Sequence, residues 1–128
     1  MAAQADAKRY RTVSPGEIIF REGEPGREMF YVMEGEVVIF REMEGREVII
    51  TTLTSGDIFG EMALVSAENR TASAKAQKLT RLLVLDKAAF LRKIQESPEF
   101  SLRLIRTFSE RLEKVTDELA VLKFVISG

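Results

Sequence analysis

The sequence predicts a mainly β protein, an antiparallel jelly-roll-like β-roll with flanking helices and a long C-terminal helix. Three observations carry this. Between Thr12 and Asp86, short runs rich in β-branched and aromatic residues recur at close spacing. The segments between them, "SPG", "REGEPG", "EG", "EGRE" and "SGD", are turn chemistry and leave no room for crossover helices. After Asp86 the pattern changes to a helical period.

Taken in order, residues 2–9 have the composition of one or two helical turns. Strands are expected at "EIIF" (17–20), "MFYVM" (29–33), "EVVIFREM" (36–43), "EVIITTL" (47–53), "TASAKAQK" (71–78) and "TRLLVLD" (80–86). "KAAFLRKIQ" (87–95) reads as a short helix with Asp86 as its N-cap. Ser97, Pro98 and Glu99 then supply a cap, a first helical position and an acid in the first turn. That second helix is expected to run to about Phe124, roughly 40 Å at 1.5 Å per residue. The 128 residues suffice for one domain with a buried core, a roll over about 12–86 and helices over about 87–126.

The last helix carries a stripe. Ile105, Phe108, Leu112, Val115, Leu119, Leu122 and Ile126 follow the alternating three-and-four spacing of a heptad seam. With Ile105 and Leu112 at a positions, Glu118 falls at g and Lys123 at the following e, where opposite chains of a parallel dimer pair them. A homodimer through this seam is expected; packing of the same face on the β-roll is the alternative. A second apolar set, Phe100, Leu102, Leu104, Val121, Phe124 and Val125, is available to cover the roll and leave the seam free.

Composition narrows the chemistry. Nineteen basic against twenty acidic residues, a net charge of −1, give no broad electrostatic grip on nucleic acid or anionic membrane. Cysteine and histidine are both absent, which removes disulfides, thiol catalysis, iron–sulfur ligation, the usual zinc and haem ligand and the hydrolase triad. "MAAQADAKRY" is polar, and no apolar run approaches the ~20 residues of a membrane span, so a cytoplasmic protein is expected.

One stretch breaks the alternation: "GDIFGEMALVSAENRTASA", residues 56–74. Gly56 ends a turn, and Gly60 permits close backbone approach. A short helix from "EMALV" points free N–H groups of about residues 61–63 outward, a small anion site. Arg70 supplies a planar fork for phosphate, Thr71 a hydroxyl beside it, and Ala63 and Ala72 leave room. Glu61 repels phosphate but suits a ribose hydroxyl, the logic of the acidic residue in dinucleotide folds. A sugar phosphate therefore fits these residues. A surface Glu–Arg ion pair worth ~0–1 kcal/mol fits them as well.

The chain also resembles the cyclic-nucleotide-binding domain, the sensor module of catabolite-activator-type regulators, cyclic-nucleotide-dependent kinases and gated channels. "REGEPGREMFYVMEGEVVIF" is similar to the stretch around the family's second and third strands, including Gly23 and Gly35. "GDIFGEMALVSAENRTASA" resembles its phosphate-binding cassette, with Gly60-Glu61 and Arg70-Thr71-Ala72 at the family's separation. The resemblance, over about residues 12–126, implies that Arg70 pairs with the cyclic phosphate and Glu61 binds the ribose 2′-hydroxyl. Gly60, Met62 and Ala63 supply the surrounding backbone, and Thr71 and Ala72 stand beside phosphate and base. It further implies that the final helix lids the site, forms the dimer seam of the activator subfamily and brings Thr116 near the base. Thr71 is common among cGMP-preferring relatives and also occurs in cAMP receptors, so both nucleotides stay open.

The expected function is thus a non-catalytic regulatory module for signal transduction. Its ligand is cAMP or cGMP, and no cofactor or metal is needed. Alternatives are the sensor half of a catabolite-activator-type regulator lacking its DNA-binding domain, or a degenerate ligand-free dimerisation scaffold. A jelly-roll enzyme acting on sugar phosphates typically needs a histidine-rich metal site, which this chain lacks. Removal of an exposed Arg70 is expected to spare the fold. The chain itself has no helix-turn-helix region or basic stripe, so no nucleic acid partner is expected.

Overall fold

The computed structural model of the chain describes residues 9–66 and 69–127. The helical turns expected over residues 2–8 lie outside the described residues, and Arg9 belongs instead to a strand. The strands are β1 (Arg9–Val13), β2 (Ile18–Phe20), β3 (Glu28–Glu34), β4 (Val37–Met43), β5 (Arg46–Leu53), β6 (Ile58–Phe59), β7 (Ser73–Ala76) and β8 (Thr80–Asp86). The helices are α1 (Met62–Ser66), α2 (Lys87–Glu96) and α3 (Pro98–Ser127). The chain divides into two compact units, one up to Arg92 and one from Lys93 onward.

The first unit is a pair of four-stranded antiparallel sheets, in the orders β1-β8-β3-β6 and β2-β7-β4-β5. Every strand contributes inward residues to one cluster between them. Val13, Ile19, Phe30, Val32, Val37, Leu53, Phe59, Ala74, Ala76, Leu82 and Val84 are all buried there. On β8 the alternation is plain, with Thr80, Leu82 and Val84 inside and Arg81 exposed. The jelly-roll reading holds because strands this short cannot shield an apolar face alone; two facing sheets do it together.

Turn chemistry sets the register of the β4–β5 hairpin. Glu44 and Gly45 both have positive φ, 53° and 77°, the conformation of a tight primed turn. Further along, Ile39 faces Thr51 while Phe40 faces Ile49, so Ile50 is a bulged extra residue on an edge strand. Val48, Ile49 and Ile50 are exposed. Composition alone would put them inside.

Three strands differ from expectation: β1, β6 and β7. β1 was not anticipated; its five residues pair with β8 from Arg9↔Val84 to Val13↔Thr80. β7 is shorter than residues 71–78, because Thr71 and Ala72 form a bend before pairing begins.

Both expected caps are present. The Ala89 N–H donates to Asp86 Oδ1 at 2.8 Å at the start of α2. In the second unit the Phe100 N–H donates to Ser97 Oγ at 3.2 Å, and α3 continues for 30 residues. Along α3, Ile105, Leu112, Val115, Leu119, Leu122 and Ile126 are exposed and Phe108 is half-buried. The second apolar set is mostly exposed. Of that set only Leu104 is buried and Phe100 half-buried, whereas Leu102, Val121, Phe124 and Val125 are exposed. The last turns of α3 are apolar on several faces, so no single packing surface can take them all.

Candidate ligand-binding site

Arg70 is placed by the loop between β2 and β3. Its N–H donates to the Glu24 carbonyl at 2.8 Å, and its carbonyl accepts the Gly23 N–H at 2.8 Å. Pro25 and Asn69 form an adjacent bridge. The loop is itself folded by Glu24 Oε1 accepting the Arg21 N–H. "REGEPG" is thus a backbone clamp on the arginine, over and above a turn.

The Arg70 side chain is only 8 % exposed, which corrects the expectation of an exposed group. Nη1 donates to the Gly60 carbonyl and Nη2 to the Glu28 carbonyl, both at 2.8 Å. Nε is buried and has no acceptor within the described structure. Cζ lies 4.1 Å from the centre of the Phe20 ring. A Cβ on Gly26 would fall 2.5 Å from Nε and 2.5 Å from the Ala63 Cβ, so residue 26 must be glycine for the guanidinium to fit.

Burial pushes the Arg70 guanidinium below its ordinary range, opposed by the carboxylates of Glu28, Glu24 and Glu61 in that order. Glu61 therefore has an electrostatic task whether or not ligand is present. It is 2 % exposed and engaged within the chain.

Gly60 adopts φ +81°, a conformation glycine takes without strain. This turns the chain so that its carbonyl meets Arg70 while the next residues enter α1. The Glu61 carbonyl accepts the N–H groups of Leu64 and Val65 at 3.0 Å, which starts the helix. The N–H groups of Met62 and Ala63 fall in the first turn, where a helix offers no internal acceptor. With five residues, α1 has little macrodipole; the N–H groups themselves carry any anion attraction.

Ala63 and Ala72 are buried, whereas Met62 and Thr71 are exposed. Two open cavities flank the clamp. One of about 450 Å³ is lined by Phe20, Phe30, Glu28 and Arg70 among others. The second, about 550 Å³, is lined by Gly26, Ala63, Leu64 and Asn69 among others. Neither lining includes Glu61 or Thr71. Among the described residues no cluster of three or more potential ligands could hold a metal ion.

The family description "cyclic nucleotide-binding domain" matches residues 10–97, which span the roll, this cassette and α2. The chain belongs to the cyclic nucleotide-binding domain family. A CRP-like cAMP-activated global transcriptional regulator of Mycobacterium tuberculosis is 34% identical over 110 residues, 85% of this chain and 49% of that protein. A cyclic nucleotide-gated potassium channel of Mesorhizobium japonicum is 40% identical over 105 residues, 82% of this chain and 28% of the channel. The crystal structure of the Thermus thermophilus catabolite activator protein superposes with a TM-score of 0.81 at 32% identity, covering 96% of this chain and 59% of that one. The chain spans about half the length of the curated regulators it matches.

Within this cyclic nucleotide-binding domain, Gly60, Glu61, Met62, Ala63, Arg70, Thr71 and Ala72 lie along one cassette in the first unit. Thr116 belongs to the second unit, exposed on α3, with its hydroxyl donating to the Leu112 carbonyl at 2.8 Å. Three residues at the site were not singled out from sequence: Phe20, Gly26 and Glu28. Phe20 reads as ordinary strand, and the Arg70 hydrogen bond goes to the backbone carbonyl of Glu28, which no side-chain pattern reports. The "EPG" run was the one available signal, and turn chemistry accounted for it.

Proposed function

We propose that this domain is a non-catalytic receptor for a cyclic nucleotide, cAMP or cGMP, and that occupancy biases its C-terminal helix. The observation that carries the reading is Arg70, a buried cation whose Nε–H lacks an acceptor within the described structure and whose Nη1 donates to the Gly60 carbonyl just before α1. A buried, unsatisfied, charged donor is costly unless an anion completes it. A cyclic phosphate supplies two acceptor oxygens for the fork. Arg70 and the Met62 and Ala63 N–H groups hold the phosphate, Gly60 opens the backbone, and Glu61 accepts the ribose 2′-hydroxyl. Thr71 and Ala72 stand beside phosphate and base, and Thr116 is the helix contribution. The roll and the helices act as one domain, in a cytoplasmic setting.

A second reading, the sensor half of a dimeric regulator, is favoured by the exposed seam on α3 and by the similarity to such regulators. In that reading the homodimer forms through Ile105, Leu112, Val115 and their heptad partners. For the receptor reading, thermal unfolding with cAMP, cGMP and non-cyclic AMP is the direct test. Ligand at about 100 times its dissociation constant adds about 2.7 kcal/mol, several degrees for a domain this size. A rise with a cyclic nucleotide and none with AMP is expected. No rise with either cyclic nucleotide would leave the ligand-free scaffold as the account.

A further inference from the structure

Phe20, Phe30 and Phe59 form one aromatic cluster, with ring centres 5.9, 6.0 and 5.1 Å apart. Phe30 and Phe59 pair across β3 and β6 and are each 2 % exposed. Phe20, on β2 of the other sheet, is only partly buried, and the Arg70 guanidinium lies over its ring. Phe30 is more distant, 5.9 Å from the same carbon. The hydrogen bonds to Gly60 and Glu28 fix two corners of the guanidinium but leave the plane free to tilt about the line joining them. The Phe20 ring, its centre 4.1 Å from Cζ, restricts that freedom. Tilt matters here, because a bidentate contact needs the fork and the phosphate oxygens close to one plane.

We propose that Phe20 is a positioning residue for Arg70, its ring setting the tilt of the guanidinium and hence the direction of the N–H groups left for the cyclic phosphate. This rests on the reading of Arg70 as the phosphate-binding group. Phe20 touches no ligand in this account; it acts through the arginine.

Phe20→Leu keeps apolar bulk and loses the ring, whereas Phe20→Tyr keeps the ring. Val13→Ala loosens the same core from a strand that makes no hydrogen bond to the Arg70 side chain. Titration with cAMP and cGMP is paired with the Arg70 Nε–H signal in a nitrogen–proton correlation spectrum. Phe20→Leu is expected to weaken cyclic nucleotide binding about 3- to 30-fold and to remove the ring-current shift of that signal. Phe20→Tyr keeps both at parent values, and Val13→Ala lowers the melting temperature while leaving both in place.

Parent-like affinity or an unmoved Arg70 signal in Phe20→Leu overturns the proposal. Should Phe20→Leu fail to fold, pentafluorophenylalanine at position 20 keeps the shape and reverses the field of the ring. Weaker binding then supports the proposal and unchanged binding overturns it. A parent that binds neither nucleotide defeats the receptor reading alone, since the Arg70 signal still decides whether Phe20 positions the guanidinium.

Discussion

Arg70 shows how one side chain can serve the fold and the site together. It bridges β3, through the Glu28 carbonyl, and the cassette, through the Gly60 carbonyl. Arg70→Ala should therefore abolish cyclic nucleotide binding and also lower stability, on the order of 2–3 kcal/mol, since two buried carbonyls lose a charged donor. Chemical denaturation beside ligand titration separates the two losses; an unchanged denaturation midpoint would show that the clamp is idle. Gly60→Ala should also weaken the site, because the new Cβ would sit 2.9 Å from Arg70 Nη1 at a φ of +81°. A loss of about 1 kcal/mol or more is expected from strain alone. The pH profile follows from burial. A folded value held below the unfolded one makes the Arg70 charge unfavourable to folding wherever the group is protonated. That penalty is lifted only as pH rises through the folded value, and arginine stays protonated in proteins. With no histidine in the chain, affinity should be flat between about pH 6 and pH 9; a titration step in that range would point to a different binding group.

Among the elements, the helix caps were the most legible because each is written in three or four adjacent residues. Asp86→Ala should cost about 1 kcal/mol, seen as a lower melting temperature, since Asp86 Oδ1 holds the first turn of α2. The long helix was legible in its period, and α3 extends only three residues past the expected Phe124. Its seam gives a separate test. Leu112 is 68 % exposed in the single chain, so Leu112→Lys should leave the monomer's stability nearly unchanged while weakening self-association, measured by sedimentation. An unchanged association state would remove the seam from the interface. Strands were legible where apolar and polar residues alternate, as on β8. β1 and β6 were missed for opposite reasons. β1, "RYRTV", is too polar to announce itself, and β6 has only Ile58 and Phe59 before Gly60 turns the chain. β5 shows the limit in another form, since its apolar run Val48–Ile49–Ile50 is exposed on an edge strand.

At the scale of the whole molecule, the family and the jelly-roll class rested on features local in sequence. Closely spaced strands, turn residues and the motif from residue 56 to residue 74 all survive without knowledge of distant contacts. Absent histidine and cysteine also exclude whole reaction classes on composition alone. Chemical type and local spacing are properties of the chain, and they determined the candidate residues Gly60, Glu61 and Arg70. Tertiary structure decided what those residues touch within the chain. The contacts of Arg70 with Phe20, Gly26 and Glu28 join residues 42 to 50 positions apart, and they include a backbone carbonyl and a missing Cβ. None of these has a side-chain signature in the sequence. Burial is a property of the folded chain, set by which segments pack together, and so the arginine that looked like a surface group is part of the interior.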